Sequence, residues 1–375
     1  AVEANAHLLV ALDLSRGNAR ARAAVLDSLA RVQAGVGNYG LALGWLEERA
    51  KLPFAGALPR LSHCLLLARA RYHLSEPRAA AAQSDRCLAS PEPELTRFRP
   101  LLLDRSGFYH LAAGDAAKAS ERYAALWPLV DAAATTPAPP SKATRAFSSK
   151  AAAAEAARNR LTTRLGQAAA ALAQGQAREA LTFIAAADAL LGKTAPAPRQ
   201  GAFGRERPAT GLPLQSYRLL LLGLRSQAHS LAGEHELAAR DLTARRDGIA
   251  ARHKASGLDE DRLELALCEA QLAQLARRRK LPPAVALSHL STARRQWLTW
   301  SAATGTPVED LGLAILASFA ELHLFAGVPS SQLGFDLAGE LRAGYTKLSE
   351  LRNPAWEPMR ARFARYLTTM HLRRT

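Results

Sequence analysis

The sequence predicts an all-α protein, an α-solenoid of stacked helical hairpins. Three observations predict it. The first is composition. Of 375 residues, 49% are hydrophobic, 22% are charged and only 6% are aromatic. Alanine is in large excess, while Val, Ile and Thr are sparse. Such a chain is too apolar for a disordered protein and favours helix over sheet. The second is apolar residues recurring three and four apart, the spacing of one helix face. The third is a turn signal, usually glycine, that recurs along the chain with small residues on either side. Helix is expected for about two thirds of the residues or more, with almost no strand.

The hairpins can be read in order. Leu26, Leu29 and Ala30 lie on a first helix that stops at Gly37, and a second places Ala42 and Leu46 on one face. Leu67, Ala68 and Tyr72, the turn Ser75-Glu76-Pro77, then Ala80 and Cys87 form another hairpin. His110, Leu111, Gly114, Ala119, Tyr123 and Leu126 form the next, followed by Ala168, Leu172, Gly175, Ala180, Ile184 and Ala187. Ser226, His229, Gly233, Ala238 and Leu242 repeat the pattern. Two weaker copies follow: Leu272 through Pro282-Pro283 to Ala286, Leu290 and Ala293, and Phe319, Leu322, Gly327, Phe335 and Ala338. Gly at the turn takes a backbone conformation that other residues resist, and Ala beside it lets two helices approach closely. Ala30, Ala42, Ala68, Ala80, Ala119, Ala180 and Ala238 are therefore expected to be buried at helix contacts.

In this layout the chain resembles the tetratricopeptide (TPR) family over most of its length. The turns lie 38 residues apart from Gly37 to Ser75, 39 from Ser75 to Gly114 and 61 from Gly114 to Gly175, against about 34 in the standard unit. The comparison is thus with long-unit TPR domains. The resemblance implies about six to eight hairpins curved into a right-handed superhelix, with a concave surface lined by first helices. It also implies protein–protein interaction. Some TPR domains hold a peptide carboxylate with cations at fixed positions. Counted from Gly37, the matching places here are Asp27 and Arg31, and an acid stands where a cation is wanted, so that clamp is not carried over.

Two segments interrupt the pattern. Residues 132–149 lack helical periodicity and contain Pro137, Pro139 and Pro140, and residues 192–213 are rich in Pro, Gly and Arg. The expected organisation is an N-terminal TPR-like array at 1–130, a linker or insertion at 131–150, and a C-terminal array at 151–375 with a loop at 192–213. No run approaches the ~18 apolar residues of a membrane span. No signal-peptide pattern opens the chain. It begins at Ala1 without a methionine, which reads as a processed chain or a fragment. A soluble chain is expected, with the cytoplasm slightly favoured.

Chemical motifs are few. Ala187 to Thr194 (ADALLGKT) fits a relaxed phosphate-loop pattern. A helical repeat precedes it and Pro-containing sequence follows, so Gly192 reads as a helix stop. His235-Glu236 lacks the second His of a zinc-protease motif, since Ala239 stands there. Asp259-Glu260-Asp261 reads as a helix start, with Asp259 as its cap. Lone histidines such as His63 and His229 read as packed or surface residues. No catalytic, cofactor-binding or metal-ligating residues are assigned, no cofactor is expected, and the chain is read as a non-enzyme. The formal charge is +16, with clusters at Arg245-Arg246, Arg277 to Lys280, Arg294-Arg295 and the C-terminal Arg360, Arg362, Arg365, Arg373 and Arg374. Lys and Arg at a helix end, as at Arg277 to Lys280, complement the helix dipole.

The expected function is a scaffold or adaptor that binds a partner protein or peptide, with an acidic surface, on a concave helical face. One alternative is the regulatory or sensor TPR region of a larger signalling protein, and another is a basic helical-repeat nucleic-acid binder. Which residues bind is not readable from sequence. Three widely spaced cysteines form neither a disulfide framework nor a zinc pattern. Cys64 and Cys87 are equidistant from the Ser75-Glu76 turn. They are expected to face each other across a hairpin, adjacent rather than bonded, because helix axes pack about 8–10 Å apart and a disulfide needs Cα atoms within about 7 Å.

Overall fold

A computed structural model describes residues 2–135, 145–193, 214–304, 309–350 and 357–372. Among these there are sixteen α-helices, two short 3-10 helices and no strand. The chain divides into two compact units, 1–211 and 212–375. The first holds α1 (Val2–Leu14), α2 (Ala19–Gly35), α3 (Tyr39–Ala50), α4 (Ala57–His73), α5 (Pro77–Leu88), α6 (Arg99–Ala112), α7 (Ala116–Thr135), α8 (Arg145–Ala173) and α9 (Ala177–Lys193). The second holds α10 (Leu214–Leu231), α11 (His235–Ser256), α12 (Glu260–Arg278), α13 (Pro283–Thr304), α14 (Glu309–Phe325), α15 (Leu337–Glu350) and α16 (Glu357–Leu372).

Helices pair as α2/α3, α4/α5, α6/α7 and α8/α9 in the first unit, and as α10/α11, α12/α13 and α14/α15 in the second, each hairpin packing on the next within its own unit. One turn geometry joins the first six. The Asn38 N–H donates to the Gln33 carbonyl at 2.9 Å, closing the end of α2. The same bond runs from Glu76 to Arg71 (3.0 Å), Asp115 to His110 (2.9 Å), Gln176 to Ala171 (2.9 Å), Glu234 to His229 (2.8 Å) and Leu281 to Ala276 (3.0 Å). This is the Schellman closure, which needs a left-handed residue just before the donor. Gly supplies it at Gly37, Gly114, Gly175 and Gly233, while Ser75 (φ 62°) and Lys280 (φ 55°) take it at some conformational cost.

Seven residues before each left-handed residue stands a small one: Ala30, Ala68, Gly107, Ala168, Ser226, Ala273 and, before Gly327, Ala320, all buried. Five residues after it stand Ala42, Ala80, Ala119, Ala180 and Ala238 in five of the seven hairpins, and these are fully buried. All seven alanines expected at helix contacts are there. Between such small residues sit larger ones. The Tyr123 ring lies so close to Gly107 and Gly166 that a Cβ on either would stand 2.9 Å and 2.4 Å from it. The two hairpins with the faintest sequence signal carry a large apolar core, with Leu290, Ile315, Phe319, Leu322, Leu341 and Phe363 buried. Their signal is faint because Lys280 replaces the turn glycine and a 3-10 helix, Ser330–Gln332, lengthens the last connection.

Three expectations meet the structure here. First, at the segment 131–150, α7 continues to Thr135, α8 begins at Arg145, and the two pack together. Arg160 pairs with Asp131 at 2.8 Å and the Arg164 guanidinium lies 3.3 Å from the Trp127 ring centroid, so the hairpin stack runs through. Residues 136–144, with the three prolines, lie outside the described residues. The unit boundary falls instead in the second Pro/Gly/Arg-rich segment. There α9 runs through Gly192 and is described to Lys193; residues 194–213 lie outside the described residues. Second, Asp259 precedes α12 but makes no cap bond; it pairs with Arg262 at 3.4 Å. Third, Cys64 and Cys87 are joined by a disulfide, with Cα atoms 6.1 Å apart. The facing register was right. The bond forms because Ala68, Ala80, Ala81 and Ser84 line the α4/α5 contact and draw the helices closer than larger side chains allow.

Candidate partner-docking surface

Most of the charge singled out in the sequence is neutralised where it stands. Arg245 pairs with Glu264 at 3.4 Å and Arg246 with Asp247 at 2.7 Å. Arg277 and Arg362 both pair with Glu321, Arg279 with Glu236, Arg294 with Glu340 and Arg360 with Glu357. Asp261 is buried and takes Arg252 at 2.8 Å. His229 meets Glu234 at 2.5 Å and Asp241 at 3.7 Å. His63 is buried beside the Phe54 ring; burial lowers its pKa, the Asp27 carboxylate opposes this, and Arg49 adds to the lowering. Residues 187–193 belong to α9, so a helix stands where a phosphate loop needs a strand and a turn. Thr194, Arg373 and Arg374 lie outside the described residues.

The two positions of the clamp comparison have separate fates. Asp27 is bound by the Arg49 Nε at 3.1 Å. Arg31 instead points to the face shared by α2, α4 and α6, where its Nη2 donates to the Ser62 hydroxyl at 3.3 Å. That face is a groove of about 600 Å³. Arg31, Arg69 and Arg105 stand along it, one from each first helix, and none makes an ion pair among the described residues. Its apolar lining is Leu65, Leu66, Leu101, Tyr72, Phe108 and Tyr109.

The aromatic side chains hold one another in place. Tyr72 meets Phe108 at 5.0 Å and Tyr109 at 5.6 Å between ring centroids, and Phe108 meets Tyr109 at 5.4 Å. Tyr39 stacks on His73 at 4.0 Å, and its hydroxyl accepts a bond from the Arg69 Nη2 at 3.4 Å. Phe108 and Leu101 remain 38% and 40% exposed, so the lining is open to a ligand. Local charge is one-signed. Burial lowers the His73 pKa and the Arg69 charge lowers it further, both favouring the neutral ring. Asp104, on α6, has its pKa raised by burial, with Arg105 opposing. The three guanidiniums are left as the fixed charges of the groove.

Of these residues the sequence comparison reached only Arg31; the repeat register held a signal for more. Arg31 and Arg69 both stand six residues before the left-handed turn residue, and Phe108 takes that place in the next hairpin. In the second unit the same place holds Gln227, Gln274 and Glu321.

The fold is TPR-like. It rests on the chain's own features: two-helix units, a left-handed residue closing each first helix, and small residues where the helices meet. No family model and no curated protein matches the sequence. Solved structures do resemble it. One is the crystal structure of a Podosopora anserina putative kinesin light chain with nearly identical TPR-like repeats, at 18% identity, covering 62% of this chain and 97% of that one, with a TM-score of 0.43. Another is a Rap protein complexed with competence and sporulation factor, at 10% identity, covering 94% of this chain and 98% of that one, with a TM-score of 0.35. Among the described residues no helix is long and apolar enough to cross a membrane.

Proposed function

We propose that this chain is a protein-interaction scaffold whose α2/α4/α6 groove docks an acidic, partly apolar segment of a partner protein. The observation that carries the reading is the set of three arginines, Arg31, Arg69 and Arg105, with no ion pair among the described residues, over an aromatic and leucine lining that exposes Phe108 and Leu101. A guanidinium left unmatched by the fold is free to form charge-assisted bonds with a partner's carboxylates, and Arg and aromatic side chains dominate binding energy at interfaces. The apolar lining selects a segment that carries Leu or aromatic residues between its acids. No catalytic role is assigned.

The test uses a fluorescein-labelled twelve-residue peptide of alternating Glu and Leu/Phe, read by anisotropy. The reading predicts saturable binding that weakens with salt, falls at least about tenfold in the R31A/R69A/R105A variant, and is absent for the same peptide with Lys in place of Glu. An acidic peptide that binds the triple variant as well as the parent would contradict it. So would a single-stranded RNA that alone binds through the same three arginines, which would move the protein to the nucleic-acid class.

A further inference from the structure

We propose that hairpin α4/α5 is ordered only while Cys64 and Cys87 are bonded, which makes the groove redox-conditional. The structural part stands on this hairpin alone; its consequence for docking rests on the reading above.

The argument starts from what the hairpin lacks. Nine residues after the left-handed turn residue, other hairpins bury Leu46, Tyr123, Ile184 or Leu242. Here that place holds Ser84, fully buried, with its hydroxyl unpartnered. One residue earlier stands Gln83, also buried, whose amide donates to the Cys64 Sγ at 3.1 Å. The cysteines themselves occupy the places that Leu103 and Leu126 fill, both buried, in the α6/α7 hairpin. Thus α5 buries only Ala80, Ala81, Gln83, Ser84 and Cys87, and the large apolar side chains near the contact, Leu61, Leu65 and Leu88, gather around the disulfide itself. A contact of small and polar side chains removes little apolar surface from water, and burying an unpaired hydroxyl is unfavourable. The covalent bond, closing 23 residues, holds together what large apolar pairs hold elsewhere.

The placement gives this weakness a consequence. Helix α4 supplies Ser62, Leu65, Leu66, Arg69, Tyr72 and His73 to the groove, more than α2 or α6. The turn beyond it uses Ser75 in the left-handed region, where a non-glycine residue is strained. The reductant would be a dithiol. Its thiolate attacks one sulfur to form a mixed disulfide, and its second thiol closes the reductant's own disulfide. Two electrons and two protons pass to Cys64 and Cys87. Both sulfurs are buried, so exchange follows opening of the hairpin. The remaining cysteine, Cys268, takes no part: it is buried in the second unit and burial pushes its thiol up to about 11.

The test is hydrogen exchange of the full chain before and after reduction with dithiothreitol, repeated on C64A/C87A without reductant. Denatured, unreduced protein should first show one thiol, and reduced protein three. Three thiols without reductant would overturn the proposal. Reduction should raise exchange about tenfold or more over 57–88, leaving 214–372 unchanged, and the double variant should behave as the reduced protein does. Unchanged exchange over 57–88 with the bond open would overturn it. So would an equal loss across the whole first unit, which would mark a staple for the unit and not a conditional hairpin. If C64A/C87A does not fold, reduction of the native chain decides alone. The acidic peptide probe is run in parallel: binding by oxidised protein alone is the predicted result. Binding that persists with 57–88 exchanging freely would overturn the docking consequence, whereas a probe that binds neither form speaks against the docking reading and leaves the exchange result standing.

Discussion

The first-helix faces of the two units share a register and use it in opposite ways. In the first unit the column six residues before each turn reads Arg31, Arg69, Phe108, Ala169, and its two cations have no carboxylate partner among the described residues. In the second unit it reads Gln227, Gln274, Glu321. Glu321 takes Arg277 from α12, Arg362 from α16 and the Tyr366 hydroxyl at 2.8 Å. Leu220 and Leu267 are exposed there too, so apolar surface alone does not separate the faces. Charge does. One face is matched internally by a ladder from α12 through α14 to α16, and the other leaves three guanidiniums open. One hairpin scaffold thus yields a self-satisfied surface and a receptive one, by substitution at exposed positions that the fold does not constrain.

The comparison is sharpest where the units should behave alike. Ala180→Leu in the first unit and Ala238→Leu in the second each overpack a closed contact and should cost roughly 1–3 kcal/mol. Urea unfolding followed by hydrogen exchange in each unit measures this. An unchanged midpoint for both would show that the shared register is wrong.

Next come changes that should separate the units. Glu321→Gln removes the charge that Arg277 and Arg362 share, and should destabilise the second unit by about 1 kcal/mol, because the guanidiniums are partly solvated. Peptide binding by the first unit should not change. Acid tests the same ladder. Burial would raise the Glu321 pKa, but hydrogen bonds from Arg277, Arg362 and Tyr366 and the Arg362 charge outweigh it and hold it below the ordinary 4.5. A lowered carboxylate stabilises the fold above its unfolded pKa, and that stability is lost as pH falls from there through the folded value. Asp85 behaves alike in the first unit: burial opposes, and Ser106, His110 and Arg122 prevail. The second unit should weaken below pH 4.5 and the first below pH 3.8, the ordinary values of the two carboxylates, and in Glu321→Gln the second should weaken less steeply. Equal slopes in parent and variant would remove Glu321 from the account.

The smallest expected stability effect is the most telling. R31A/R69A/R105A should change stability by no more than about 0.5 kcal/mol, since Arg31 and Arg69 make only exposed hydrogen bonds, to Ser62 and Tyr39, while lowering peptide binding at least about tenfold. A large loss of stability would mean that the arginines serve the fold.

The fold was legible because its signals are local. Ala30 and Ala42 around Gly37, or Ala168 and Ala180 around Gly175, reveal a hairpin through close packing that admits only small side chains. Legibility failed where another residue met the same physical need. Lys280 adopts the glycine conformation, and alanine carries helices into the segment 131–150 despite its prolines. The disulfide was half legible: counting from the turn put Cys64 opposite Cys87, but bonding depends on an interhelix distance set by Ser84 and its neighbours. The groove was least legible. Whether an arginine is paired depends on carboxylates far away in sequence, as Glu321 is from Arg277, and composition cannot report that.

The most direct test of the central claim is a hydrogen-exchange footprint of the acidic Glu/Leu/Phe peptide on the oxidised protein. The account predicts slowed exchange on α2, α4 and α6, and none on α12, α14 and α16. Protection centred on the second unit's first helices, with the first unit unaffected, would contradict it.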